Sequence, residues 1–224
     1  MNRAFRSARG LTGGFTFLLT GALATAALSG CGAPSYHYVS DPSAGTYYKV
    51  PPQWQQVPQK DLNVPAGGSG PGTWWSAFDG GSPPPARDDG SFDLTEPFEL
   101  AHVSPLSAAE SGELSYDSMR DNWLPVTAAA RQVTAEKGSR YYGYTGFTLL
   151  RDQTITAKHG VHGVRETFRY TLDGATDTFD EVVLTNADET RLSTLEVHCT
   201  QACYSKNQTQ IDSIISAFTV ESPA

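Results

Sequence analysis

Cysteine, methionine and long apolar runs are all scarce in this chain of 224 residues. With 3 Cys and 2 Met, there are too few thiols for a disulfide-built scaffold or a set of structural metal sites, so the fold must rest on an apolar core. Basic residues are in the minority, 16 Lys and Arg against 24 Asp and Glu, for a net charge of −8. Such a surface repels phosphate backbones and argues against nucleic acid as a partner. No stretch approaches the ~20 consecutive apolar residues of a membrane-spanning helix. The best run, residues 15–28, is interrupted by Thr16, Thr20 and Thr25.

What the first residues do contain is organised. Arg3, Arg6 and Arg9 are the only charged residues before Cys31, and the short apolar run then ends in small side chains. A basic head, a short apolar stretch and small residues are the three parts of a secretory signal. Arg3 and Arg6 are not adjacent, so a twin-arginine signal is not indicated. Leu28-Ser29-Gly30-Cys31 resembles the bacterial lipoprotein signal, L-[AS]-[GA]-C, at every position. That resemblance implies a diacylglyceryl thioether on Cys31 and cleavage just before it. Residues 1–30 are then a signal peptide, 31–45 a lipidated tether rich in Pro, Ser and Gly, and 46–220 the folded domain. The implied location is the extracytoplasmic face of a bacterial cell membrane. A thiol suits the role because its thiolate is readily alkylated, and two acyl chains anchor stably where one is marginal.

Removing residues 1–30 takes away three Arg and no acid, which leaves 13 basic residues against 24 acids, or −11. The remaining 194 residues fit one domain with a sizeable core. With Cys31 committed to lipid, Cys199 and Cys203 remain as a pair, and outside the cytoplasm a disulfide is expected. A metal site using His198 lacks a fourth ligand and a recognisable spacing. The disulfide's loop is short, so it would pin a local corner.

Along the domain, Thr46-Tyr47-Tyr48-Lys49-Val50 reads as a strand ended by Pro51-Pro52. Twelve of the residues 65–90 are Gly or Pro, which makes that region loop. Residues 73–78 form a strand-like island in it, and 98–103 are a second strand candidate. Ser115 is a fair N-cap for a helix with Tyr116, Met119, Trp123 and Leu124 on one face. Pro125 kinks that helix or starts another, with Val126, Ala129, Ala130 and Val133 inward and Gly138 as the stop. From Phe147 the pattern becomes an antiparallel meander. Val164, Phe168, Tyr170 and Leu172 alternate with Arg165, Thr167, Arg169 and Thr171, and Glu166 interrupts the apolar side. A closing helix carries Ile211, Ile214, Ile215 and Phe218 in one stripe, with Ser205 and Gln208 as a capping box.

Two segments together resemble a known family. Thr46-Tyr47-Tyr48-Lys49-Val50-Pro51-Pro52-Gln53-Trp54 is similar to the "Y-x-V-P-x-x-W" start of PsbP-like proteins. The stretches 199–204 and 211–220 are similar to the "C-x-x-x-C-Y" and "I-x-x-I-x-x-S-F-T-V" ending of actinobacterial lipoproteins with that architecture, with Ala217 in place of Ser. The resemblance covers residues 46–220. It implies an α+β domain, an antiparallel β-sheet flanked by helices in a PsbP-like α/β/α sandwich, in a group whose members mostly bind or scaffold. It places no functional residue on this chain.

Catalytic templates fail one by one. Gly67-Gly68-Ser69-Gly70 has Pro71 where a G-x-S-x-G elbow needs glycine. Aligning Gly90 with the glycine of a calcium loop puts Pro85 and Arg87 where acids are required. His159 and His162 flank glycines at a hairpin corner without further ligands. Asp177, Asp180 and Glu181 could do acid–base work, but they read as a solvated strand edge. Trp74, Trp75, Tyr141, Tyr142 and Tyr144 either pack on the sheet or line a groove for a glycan or glycolipid. The expectation is a non-enzymatic binding or scaffolding lipoprotein of the cell envelope, with no cofactor and no metal. Its partners would be the membrane, through the lipid on Cys31, and an envelope protein or glycolipid. The alternatives are an envelope hydrolase with dispersed catalytic residues and a glycan- or lipid-binding module.

Overall fold

The structure is a computed structural model that describes residues 36–62, 70–81, 94–137, 143–172 and 174–221. Strands β1 (His37–Asp41), β2 (Thr46–Val50) and the two-residue β3 (Gln55–Gln56) come first, followed by β4 (Trp74–Asp79) and β5 (Phe98–Pro105). Three short helices follow, α1 (Ala108–Glu113), α2 (Tyr116–Arg120) and α3 (Ala128–Glu136). The meander is β6 (Thr145–Thr156), β7 (His162–Leu172), β8 (Ala175–Thr185) and β9 (Arg191–Thr200), and α4 (Gln201–Ile215) and β10 (Thr219–Val220) close the domain.

A seven-stranded sheet runs β3-β4-β5-β9-β8-β7-β6, and a three-stranded sheet runs β1-β2-β10. Every neighbouring pair in both is antiparallel, as the short turns of the meander require. The main core lies on one face of the large sheet. Val182, Leu195 and Val197 there meet Ile211, Ile214 and Ile215 of α4 together with Tyr48 and Val50 of the small sheet. Each such side chain contributes roughly 1.5–3 kcal/mol when fully buried. The opposite face is covered by the segment between β5 and β6, where Met119 packs on Val164 and Val183. Leu124 and Val126 lie on Phe168, Tyr170 and Phe179. The result is the expected α+β arrangement, an antiparallel sheet with helices on both sides.

Several local expectations change. Strand β1 pairs with β2 from His37↔Val50 to Asp41↔Thr46, so residues 37–41, within the stretch read as tether, form a strand. The helix expected from Ser115 ends at Arg120. Asp121 stops it, because one carboxylate oxygen accepts from the Val126 and Thr127 N–H groups at 2.8 Å and the other from the Thr127 hydroxyl at 2.7 Å. Thr127 then caps α3, and Ala129 and Val133 face solvent rather than inward. Helix α1, with a capping box between Ser107 and Glu110, was not expected. The closing helix begins earlier than read, capped by Thr200, so Ser205 lies inside it and its hydroxyl donates to the Gln201 carbonyl. The stripe Ile211, Ile214, Ile215 and Phe218 is buried as expected.

Candidate functional site

Period-two alternation places every second residue of a strand on one face, and the register of the meander then decides which side chains meet. Asp152 of β6 pairs with Glu166 of β7, Glu166 with Glu181 of β8, and Glu181 with Glu196 of β9. Four carboxyls therefore form one row across four adjacent strands, and Glu166, Glu181 and Glu196 are buried. Asp177 and Asp180 are buried as well, so the reading of Asp177, Asp180 and Glu181 as a solvated edge is overturned. Strand β8 lies between β7 and β9, in the interior of the sheet. Asp180 points to the α4 face, where Arg165 donates two hydrogen bonds to it at 2.9 and 2.8 Å and the Tyr204 hydroxyl a third at 2.8 Å.

The row has a cation at one end and a histidine at the other. Arg120 donates to Asp152 at 3.1 and 2.9 Å, and its Nε lies 3.7 Å from Glu166 Oε1. At the far end His198 Nδ1 lies 2.6 Å from Glu196 Oε1. Glu181 sits between them, and its Oε2 has no hydrogen-bond partner. Burial, reinforced by the charge of Asp152, pushes the Glu166 carboxyl up to about 8 against the opposing pull of Arg120. Burial and then the neighbouring Glu196 and Glu166 push Glu181 well above the usual carboxylate range. Glu166 thus retains its proton at neutral pH and Glu181 is shifted in the same direction, which is how two such acids stay buried side by side. The sequence did carry a signal for the row. The midpoint of Glu166 and Glu181 falls beside Gly174, and that of Glu181 and Glu196 at Asp188 and Glu189, both at turns of the meander.

Access is a separate matter. A groove of about 280 Å³ opens between α3 and the start of β6, lined by Pro125, Arg131, Tyr144, Phe147 and Tyr170 among others. The Arg131 guanidinium lies 3.9 Å from the Phe147 ring centre, a cation–π contact. The Tyr170 hydroxyl donates to the Pro125 carbonyl and fixes one wall. Burial pushes Tyr144 and Tyr170 each up to about 12, so both remain neutral phenols at physiological pH. A larger cleft of about 650 Å³ lies between β6 and the C-terminal end of α4, over Ile155, Val182, Leu184, Ile215 and Phe218. A third groove, about 550 Å³, runs along the outer side of α4. Glu166, Glu181 and Glu196 line none of the three.

The aromatics expected in one groove are divided by the sheet. Trp74 and Trp75 are consecutive strand residues and face opposite sides. Trp74 packs edge-on to Tyr48, with ring centres 6.4 Å apart. Trp75 stacks on His102 at 3.8 Å and runs nearly parallel to Trp123 at 6.4 Å. Burial lowers the His102 pKa to about 4, so the stacked imidazole is neutral. Tyr144 belongs to the 280 Å³ groove, and Phe147 and Tyr170, not Trp74 and Trp75, are its aromatic companions there. Tyr141 and Tyr142 lie outside the described residues, as do Cys31, Gly67, Gly68, Ser69 and the segment 88–93.

Cys199 and Cys203 form a disulfide with Cα atoms 5.9 Å apart, tying the end of β9 to the first turn of α4. His162 lies 3.3 Å from Glu189, while His159 occupies the corner with a φ of 59°. Among the described residues, no three His, Cys, Asp or Glu side chains are grouped to hold a metal ion.

No family model matches the chain, and no curated protein matches it in sequence. Solved structures do match it in shape. Cyanobacterial PsbP (CyanoP) from Synechocystis sp. PCC 6803 aligns with a TM-score of 0.52 at 15% identity, over 87% of this chain and 99% of that one. The fold is PsbP-like. Two further similar structures are the Ran-binding protein Mog1p of Saccharomyces cerevisiae and LpqN of Mycobacterium tuberculosis, a protein involved in cell envelope biogenesis. Mog1p has a TM-score of 0.44 at 10% identity over 83% of this chain and 95% of its own. LpqN has a TM-score of 0.45 at 12% identity over 84% of this chain and 91% of its own.

Proposed function

We propose that this chain is a lipid-anchored protein on the extracytoplasmic face of a bacterial cell membrane, whose PsbP-like domain binds or scaffolds an envelope partner. One observation carries the reading. The Cys199–Cys203 bond commits two of the 3 cysteines, and the third stands directly behind Leu28-Ser29-Gly30. A disulfide belongs to oxidising compartments, and a lipobox cysteine belongs to the membrane that faces one. Metabolic labelling with a palmitate analogue tests the anchor. The wild-type chain should take up label and partition with membranes, and Cys31→Ala should do neither. A labelled Cys31→Ala chain would overturn the reading.

A second reading, a glycan- or glycolipid-binding module, draws on the groove walled by Tyr144, Phe147 and Tyr170 with Arg131 at its side. Flat aromatic walls suit the apolar face of a sugar ring, and phenol hydroxyls suit its oxygens. Chemical-shift changes confined to this groove in a titration with envelope glycans would support it, and a silent panel would count against it. A hydrolase needs its raised-pKa acid inside a groove. Among the described residues, Glu166, Glu181 and Glu196 line none of the three grooves described above.

A further inference from the structure

We infer that the groove along the outer side of α4 receives the phosphate of an anionic lipid head group in the membrane that holds the chain, an inference that rests on the Cys31 anchor proposed above. The groove encloses about 550 Å³ between α4 and the turn after β2, and Tyr36, Gln53, Lys206, Asn207, Gln210 and Ser213 contribute to its walls.

The first argument is the chemistry of the lining. Each polar side chain on it carries an N–H or O–H donor, and no carboxylate lines it, although the chain has 24 acids. Donors without competing carboxylates are what an anionic oxygen cluster requires. Lys206 is exposed and makes no ion pair among the described residues. A second ammonium, on Lys49, lies 4.3 Å from the ring centre of Tyr36, which lines the groove. Helix α4 carries one acid and one base, and it separates them. Asp212 is drawn to the sheet side by Arg165 at 2.6 Å and Arg151 at 3.3 Å, while Lys206 is left on the groove side.

The second argument is reach. Tyr36 lies five residues after Cys31, and covalent geometry limits that span to about 18 Å. Tyr36 leads directly into β1, which is held by five register pairs to β2. In a chain lipidated on Cys31, Tyr36 can lie no farther than that span from the lipidated residue, and tethering raises the effective concentration of head groups available to the domain. The third argument is charge. A domain of net −11 is repelled by an anionic leaflet as a whole, so contact with it has to be made through a face free of carboxylates. Lysines held beside such a leaflet gain from its surface potential.

The test uses the full lipidated chain reconstituted in vesicles of phosphatidylglycerol or of phosphatidylcholine, read by hydrogen–deuterium exchange. Peptides covering residues 50–54 and 205–213 should exchange several-fold more slowly in phosphatidylglycerol than in phosphatidylcholine. Lys206→Glu should abolish that difference while acyl labelling persists, and Lys206→Gln should weaken it. Equal exchange in the two vesicles, on a chain that carries its acyl label, overturns the groove assignment and leaves the anchor standing. A chain without label overturns the anchor and this inference with it. If millimolar inorganic phosphate slows the same peptides in phosphatidylcholine vesicles as strongly, the groove is a free-phosphate site and the lipid assignment falls.

Discussion

Glu166 and Glu181 occupy directly opposed positions on β7 and β8, both buried, and one carboxyl oxygen on each has no hydrogen-bond partner. Like charges in such positions repel at short range, so the pair survives by holding protons.

Stability should therefore fall as the pH rises from about 5 to about 8. The sign follows from where the proton is. The ordinary glutamate value is 4.5, and burial pushes Glu166 up to about 8 with Glu181 raised as well. Between those values the folded chain keeps protons that the unfolded chain has released, and unfolding becomes more favourable with each increment of pH. One retained proton corresponds to ~1.4 kcal/mol per pH unit. The contribution is fully present below 4.5 and lost as the pH passes the folded value. Urea midpoints measured across this range should decline for the wild type and flatten for Glu166→Gln, which should be the more stable chain at pH 8. A flat wild-type profile would contradict a protonated Glu166.

Removing Arg120 should extend that dependence to higher pH. Its guanidinium serves Asp117 at 3.0 Å and Asp152 at 2.9 Å, and lies 3.7 Å from Glu166, whose pKa it lowers. Arg120→Met leaves Asp152 and Glu166 without that cation, so Glu166 should titrate higher and the decline should extend to more alkaline pH. Asp117 and Asp152 are too exposed for their pairs to matter much individually. The readout is the alkaline limit of the slope, which simple loss of packing would not move.

The order of elements and the meander were legible because they depend on local pattern. Alternation from Val164 to Leu172, turn residues at Asn186 and Glu189, and the stripe Ile211, Ile214, Ile215 and Phe218 each declare themselves within a few residues. Burial of Asp177, Asp180 and Glu181 did not, because a carboxylate carries no local mark of the partner that neutralises it. Arg165 and Tyr204 reach Asp180 from β7 and α4. The acid row likewise needs the register of four strands at once. The aromatic groove was only half legible. Tyr144 is in it, but its companions come from β6 and β7, and the adjacent pair Trp74 and Trp75 is separated by the pleat.

Thiol counting offers an independent check on the cysteine assignments. The mature membrane-extracted chain, denatured without reductant, should show no reactive thiol, and reduction should release two. A single thiol before reduction would mean that Cys31 is unmodified. Replacing both Cys199 and Cys203 by Ala should lower stability by only about 2 kcal/mol, because the closed loop is short.

Gly163 should be the least replaceable glycine of the meander. It pairs with Leu184, and a Cβ built on it would lie 1.9 Å from the Val183 carbonyl oxygen and 2.9 Å from the Leu184 Cα. Both obstacles are backbone in the interior of the sheet, so relief requires β7 and β8 to move apart. Overpacking of this kind costs about 1–3 kcal/mol, and Gly163→Ala belongs at the upper end because no rotamer change relieves it. Gly112 is the matched control. It lies in α1 with nothing within 4 Å of an added Cβ, and Ala there should be neutral or gain about 0.5–1 kcal/mol from helix propensity. The urea midpoint should fall for Gly163→Ala and hold or rise for Gly112→Ala, and a tolerated Gly163→Ala would refute the close β7–β8 approach.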